Sequence, residues 1–288
     1  MNKYICWCCD YSENTGEGKL AHKFVKYYLY KNDVKIIRPN SKFFFDKYIF
    51  PFYGILVLWY NYFKGKKLVY VNYLPLWNFT IFLLSPPNTI FGPITGSIQI
   101  NKIKSIKSLI RFYLFPVFYK ISLIILKFRS EKIIFSTNIL LKYLDTKILK
   151  KSQLNFVLND LKLRKKKYSK EYDLIIYFRE HENKFFIHHK EFIYNELKKG
   201  KKILVVGDYI NIKGVKQIKR VGNNRIIRLI RMSKFALSGD DNLLSFFNID
   251  CFNNNVKVIY NYKLKFQISN LKKNMFLPYN FEEKKFLR

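Results

Sequence analysis

Cysteine is scarce: the chain holds four, Cys6, Cys8, Cys9 and Cys251, and three of them crowd near the N-terminus. No histidine or second cysteine pair stands at zinc spacing, so neither a disulfide framework nor a zinc-built domain is expected. Reduced, buried thiols in a cytoplasmic protein are the simpler reading. No cleavable signal is expected either. Lys3 is followed by only a short apolar run, and Asp10 and Glu13 interrupt what comes next.

Uninterrupted apolar runs of membrane-spanning length are missing as well. Stretches 48–63 and 68–101 carry no charged residue, yet Pro51, Gly54, Pro75, Pro86, Pro87, Gly92, Pro93 and Gly96 break them. A spanning helix needs about 20 apolar residues without such breaks. Residues 110–128 come nearest, punctuated by Arg111, Lys120 and Lys127. These stretches read as buried elements plus a basic, aromatic surface able to lie on a membrane.

Acidic side chains are also few, 20 against 53 Lys and Arg, which leaves a formal net charge of +33. Such a balance points to nucleic acid or an anionic membrane. The enriched residues, however, are Lys, Asn, Ile, Phe and Tyr, the set encoded by AT-rich codons, so charge alone names no partner. Hydrophobic residues make up 49% and aromatics 18%, enough for a substantial core, and disorder is excluded. At 288 residues the chain can form one large domain or two ordinary ones.

Short apolar strands alternate with helical stretches, the pattern of an α/β protein with parallel sheets. Strands are expected over 4–9, 34–38, 68–72, 89–91, 133–136 and 156–158, with helices over 19–30, 52–62, 77–84, 105–127 and 139–144. Residues 159–173, "NDLKLRKKKYSKEYD", are polar, basic and without an apolar face, and read as a linker. The alternation then restarts. Strands are expected over 174–177, 203–206, 235–237 and 256–260, and helices over 187–198, 224–232, 243–252 and 263–273. The expected organisation is two Rossmann-like domains, 1–160 and 161–288, with the last helix packing back on the first domain.

Four stretches could carry chemistry. In "DYSENTGEGKLAHKF", Gly16 and Gly18 lie between a strand and a helix, where backbone N–H groups and the helix N-terminus favour an anion. The pattern is neither a Walker A loop nor G-x-G-x-x-G, and an ordinary βα turn explains it equally well. In "FGPITGSI", Pro93 fixes a bend and Gly92 and Gly96 allow close backbone approach, which a tight core loop would also require. In "DLIIYFREHENKFF", Arg179 and Lys184 follow the strand that restarts the alternation, where open α/β sheets bind ligands. A guanidinium fork plus an ammonium suits a diphosphate, although a solvated basic loop carries at least equal weight. In "KFALSGDDNLLSFFNIDCF", Asp240, Asp241 and Asn242 precede a helix, as N-caps often do, while Asp250 lies within an otherwise apolar helix.

These residues, in this order, resemble the GT-B glycosyltransferases, particularly their large retaining family that uses nucleotide-activated sugars. "YFREHENK" is similar to that family's strand followed by G-R-L-x-x-x-K, with Phe178 in place of the glycine. "KKILVVGD" resembles its second strand ending in V-G-D. The stretch from "VGNNRIIRLIRMSKFALSGDDNLL" onward resembles its S-x-x-E-x7-E region, degenerate here as Asn242 and Asp250. "TGEG" occupies the place of the family's first glycine-rich loop, and "FGPITGS" resembles its G-P-I-G-G segment.

The resemblance implies two Rossmann-like domains facing across a cleft, the first binding acceptor and the second binding donor. It implies an enzyme that moves a sugar from a nucleotide-sugar to a glycan or lipid-linked glycan, in surface polysaccharide or lipopolysaccharide biosynthesis, with retention of configuration. Arg179 and Lys184 would stabilise the departing diphosphate. Gly16 and Gly18 would help from the other domain, Asp250 would hold the ribose, and Asp240 or Asp241 would stand in for the carboxylate lost at Asn242. Gly96 would border the acceptor. No metal and no cofactor beyond the substrate is expected, and no nucleic-acid partner. The expected location is cytoplasmic, peripheral on the inner face of the plasma membrane. The alternative is a basic, non-enzymatic protein that binds nucleic acid or membrane.

Overall fold

The computed structural model describes residues 3–30, 32–39, 46–96, 106–159, 161, 168–180, 187–268 and 275–287. The chain divides into two compact units, Met1–Asn159 and Asp160–Arg288.

In the first unit the elements run β1 (Lys3–Cys8), α1 (Gly16–Tyr28), β2 (Asp33–Ile37), α2 (Asp46–Tyr62), β3 (Lys67–Val71), α3 (Phe79–Leu84), β4 (Ile90–Phe91), α4 (Ile106–Arg129), β5 (Ile133–Ile134), α5 (Thr146–Lys151) and β6 (Ser152–Gln153). The main sheet is parallel, ordered β2-β1-β3-β4. Ile5 to Cys8 and Leu68 to Val71 are unbroken buried runs, as strands covered on both faces should be. Trp7 and Tyr70 are fully buried at its centre, with Leu58, Phe82 and Phe135 packed in the same core. Gly54 of α2 meets the Trp7 indole so closely that an added Cβ would lie 2.1 Å from Nε1. Any larger residue there would drive the helix off the sheet.

The second unit contains β7 (Tyr172–Phe178), α6 (Ile187–Lys198), β8 (Ile203–Gly207), β9 (Lys216–Ile218), α7 (Asn223–Arg231), β10 (Ser233–Leu237), α8 (Phe246–Asn253), β11 (Lys257–Asn261), β12 (Phe276–Asn280) and β13 (Lys285–Phe286). Its sheet has the order β13-β12-β11-β10-β7-β8-β9, parallel except for the terminal β12–β13 pair. The chain builds outward from β7 through β8 and β9, then returns to the other side of β7 and continues through β10, β11 and β12. The order therefore reverses between β7 and β10. In the first unit it reverses between β1 and β3. Outside the carboxyl ends of strands at such a reversal, helices on opposite faces leave a crevice.

Several expected elements differ. Residues 156–158 form a 3-10 turn rather than a strand, because Asn155 takes a left-handed conformation (φ 56°) just before them. The strand in that region is β6, earlier in the chain. The expected helix over 139–144 is a 3-10 turn at Leu141–Tyr143, and the helix proper is α5, capped by Asp145 accepting from Ile148 N at 2.7 Å. The helix expected from 243 starts only at Phe246, since Ser245 is its N-cap and accepts from Asn248 N. Tyr262–Ile268 form a 3-10 helix, and the remainder of the helix expected over 263–273 lies outside the described residues. β12 was not expected, because Pro278 argues against a strand in a sequence.

Candidate functional site

The carboxyl end of β7 delivers Arg179 to an exposed position immediately beyond Phe178. Its neighbour β8 ends at Gly207, whose φ of 123° is closed to side chains, and an added Cβ would stand 2.0 Å from the Phe178 carbonyl oxygen. This close approach sets Asp208 beside the loop that follows β7. Glu180 N donates to Asp208 Oδ2 at 2.8 Å. Arg220, in the loop before α7, completes the arrangement, donating from Nε and Nη2 to the two oxygens of Asp208 at 2.8 Å each. The Arg220 fork holds the Asp208 carboxyl below its ordinary range; the Glu180 N–H and the charge of Arg179 act in the same direction. Lys184, the expected partner of Arg179, lies outside the described residues.

Across the reversal, β10 leads into Ser238, Asp240, Asp241 and Asn242. This loop is clamped from three elements. His189 of α6 is buried, with Nε2 2.8 Å from the Ser238 carbonyl oxygen. A carbonyl only accepts, so Nε2 carries the proton, and Nδ1 faces Asp240 Oδ2 at 3.5 Å. Asn248 of α8 donates to Ser238 Oγ at 2.8 Å and to the Leu243 carbonyl at 3.0 Å. Gln267 accepts from Leu243 N at 2.8 Å and donates to the Asp241 carbonyl at 3.3 Å. Asn242 itself caps the turn, its Oδ1 accepting from Leu244 N at 2.8 Å. Asp250 lies four residues past Phe246, about one turn into α8, and is partly buried. Tyr177 of β7 stacks on Phe247 of α8 at 5.6 Å, tying the first strand to that helix. Thus Asp240, Asp241 and Asn242 share one braced loop, and Asp250 follows on the next helix.

The first unit has its own group at the β1–β3 reversal. Gly16 opens α1, and Thr15 caps it, accepting from Gly18 N at 3.0 Å while donating to Asp10 Oδ2 at 2.5 Å. Gly18 faces Ser12, where an added Cβ would come within 2.0 Å of the carbonyl oxygen. Its lack of a side chain lets the loop fold onto the helix. Buried Asn72 accepts from Cys9 N at 3.1 Å and donates to the Asp10 carbonyl. Glu17 accepts from Tyr73 N at 3.2 Å, and burial raises its carboxyl pKa. The Tyr73 phenol is pushed up to about 12, first by burial and then by the negative charges of Asp10 and Glu17. Gly96 admits Leu140, whose Cγ would lie 2.5 Å from an added Cβ. The segment before it is stitched into the core by Ile94 N to the Ile134 carbonyl and Thr95 N to the Leu74 carbonyl.

Arg220, His189, Glu17 and Tyr73 were not singled out in the sequence. Arg220 stands in a lysine-rich loop with no pattern, and His189 is distinguished only by its burial. Glu17 lies inside "TGEG", where the glycines drew attention instead. Among the described residues there is no cluster of three metal-ligating side chains.

No protein-family model matches the chain, and no curated protein sequence matches it. Solved structures do. Anabaena HepE, solved with UDP and glucose, has a TM-score of 0.52 and 8% identity, covering 90% of this chain and 80% of its own. A glycosyltransferase from Rickettsia africae ESF-5 gives 0.51 and 12%, covering 98% and 85%. An alpha-glucosyltransferase solved with UDP-glucose and DNA containing an abasic site gives 0.50 and 11%, covering 94% and 82%. At such identities the likeness shows the fold, two Rossmann-like units of the GT-B type.

Proposed function

We propose that this chain, built on the GT-B fold, is a glycosyltransferase that moves a sugar from a nucleotide-sugar to a glycan or lipid-linked glycan acceptor. The observation that carries the reading is the group at the ends of β7 and β8, where Arg179 and the Asp208–Arg220 pair meet beside the strand-order reversal. Transfer breaks the bond between the anomeric carbon and the diphosphate oxygen, and the diphosphate leaves with the electron pair. An acceptor oxygen bonds to that carbon and passes its proton to the departing diphosphate. Positive groups fixed where the leaving charge grows lower the barrier without reorganising. Arg179 and Lys184 take that role, and Arg220 adds a second guanidinium that Asp208 holds in place.

In this reading the second unit binds the donor and the first binds the acceptor. Asp250 holds the ribose, and Asp240, Asp241 and Asn242 line the sugar. On the first unit, the loop of Gly16 and Gly18 offers backbone N–H groups to an anionic group of the donor, and Gly96 borders the acceptor. The reaction retains configuration, serves surface polysaccharide or lipopolysaccharide synthesis, and takes place on the cytoplasmic face of the plasma membrane.

Calorimetric titration of the intact chain with a panel of nucleoside-diphosphate sugars tests the proposal. Saturable binding that weakens at least about tenfold in Arg179→Ala supports it, in line with the loss of a charge-assisted contact to phosphate. If no donor binds, the transferase reading fails; if binding is unchanged in Arg179→Ala, the site is misplaced. The net charge of +33 gives a second reading, a polyanion-binding protein. Affinity for random DNA that falls steeply with salt, without donor binding, would favour it.

A further inference from the structure

α2 and α4 each bury one face, and on both helices the opposite, exposed face is also apolar. On α4, Tyr119, Ser122, Leu123 and Leu126 point inward, whereas Ile110, Tyr113, Val117, Ile124 and Phe128 recur outward at three-, four- and seven-residue spacing. On α2, Ile55 and Leu58 are buried, and Ile49, Phe52, Leu56 and Tyr60 form the exposed stripe, which Phe63 extends just past the helix end. A helix on the surface of a water-soluble unit ordinarily places polar residues there.

The two helices come together at one end. Short α3 joins them: Trp59 Nε1 of α2 donates to the Leu84 carbonyl at 2.8 Å, and Arg129 of α4 donates to the Phe82 and Leu83 carbonyls at 2.5 Å each. The carboxyl ends of all three helices therefore meet. At that end Phe63 is 79% exposed and Phe128 83%, with Leu83 and Leu84 about half exposed beside them. Not one Asp or Glu occurs between Asp46 and Glu131, whereas Lys64, Lys66, Lys120 and Lys127 all lie in this stretch.

We propose that this three-helix face docks on a bilayer containing anionic phospholipid. The apolar stripes enter the boundary between headgroups and acyl chains, and the lysines meet headgroup phosphates. Charge decides the occupant. A second copy would bring the same acid-free, basic surface and repel, while anionic headgroups complement it. The helix from Leu109 to Arg129 is long and apolar enough to cross a membrane. It lies in the plane instead, because its inner face is part of the protein core, where Ser122 Oγ donates to the Leu76 carbonyl at 2.5 Å. The proposal gives the peripheral placement above a definite surface, and it is independent of any sugar donor.

Flotation of the full chain with phosphatidylcholine vesicles, with and without phosphatidylglycerol, tests it in the absence of donor. Binding is expected to the phosphatidylglycerol vesicles, with brominated lipid quenching the fluorescence of Trp59 and Trp77. The double variant Phe63→Ser, Phe128→Ser should bind at least about tenfold more weakly, since each ring loses its apolar contact with lipid. Both positions are exposed, so its circular dichroism should match that of the parent. Charge reversal by Lys64→Glu with Lys127→Glu should weaken binding too. Undiminished vesicle binding by the Phe double variant overturns the proposal. So does resistance of the bound chain to alkaline carbonate, which would mean a spanning helix. So does a dimer, seen by light scattering and dissolved by that variant, with no vesicle binding. Donor titration of the same variants reads the transferase proposal separately.

Discussion

Arg220 closes on Asp208 through two parallel N–H···O bonds of 2.8 Å, and the same carboxylate accepts from the backbone of Glu180 next to Arg179. One acidic side chain thereby fixes a cation and the loop that carries another. Asp208→Asn keeps the size of the side chain but loses the charge that orients Arg220. Its donor affinity should fall about tenfold, and that of Arg220→Ala by a similar factor, with both proteins still folded. Calorimetry of the two variants checks this. If the double variant loses no more than either single one, the two residues act as a unit.

Gly207 should be intolerant of any side chain. Its φ of 123° and the 2.0 Å approach of the Phe178 carbonyl to an added Cβ combine backbone strain with a clash against a neighbouring strand. Gly207→Ala should destabilise the chain by about 2 to 4 kcal/mol, read from urea unfolding.

Glu17 gives a pH dependence with a definite sign. Burial raises its carboxyl pKa above the ordinary 4.5, so the folded chain holds this proton more firmly than the unfolded one. Its contribution to stability is present below the ordinary value and is lost as pH rises through the raised one. Glu17→Gln removes the ionisation while leaving an oxygen to accept from Tyr73 N. Thermal midpoints should therefore be a few degrees higher in Glu17→Gln at neutral pH, with the gap closing towards about pH 4.

His189→Leu should loosen the loop after β10. The Ser238 carbonyl would lose its buried donor, a loss of about 1 to 3 kcal/mol. Hydrogen exchange at residues 238–244 should accelerate in this variant while the β7 amides stay protected.

Much of the frame could be read from residues alone. The apolar run in β7, the glycine ending β8, and α6 over 187–198 each follow from local pattern. What could not be read depends on contacts between distant residues. Arg220 reaches Asp208 across 12 positions of a basic segment that includes β9, and Glu17 meets Tyr73 across 56. Asn242 was expected before the helix that carries Asp250, but that helix is capped by Ser245, three residues later, so Asn242 caps a turn instead. The sequence marked the stretches of α2 and α4 as buried elements with an aromatic, basic surface, but not which residues face outward. Both faces of these helices are apolar, so periodicity cannot tell the buried side from the exposed one.

The most direct measurement is release of nucleoside diphosphate from a panel of nucleotide-sugars by the intact chain, with and without a membrane-lipid extract as acceptor source. The account predicts release from at least one donor, stimulated by the extract and reduced at least about a hundredfold in Arg179→Ala. No release from any donor, or release indifferent to Arg179→Ala, would contradict it.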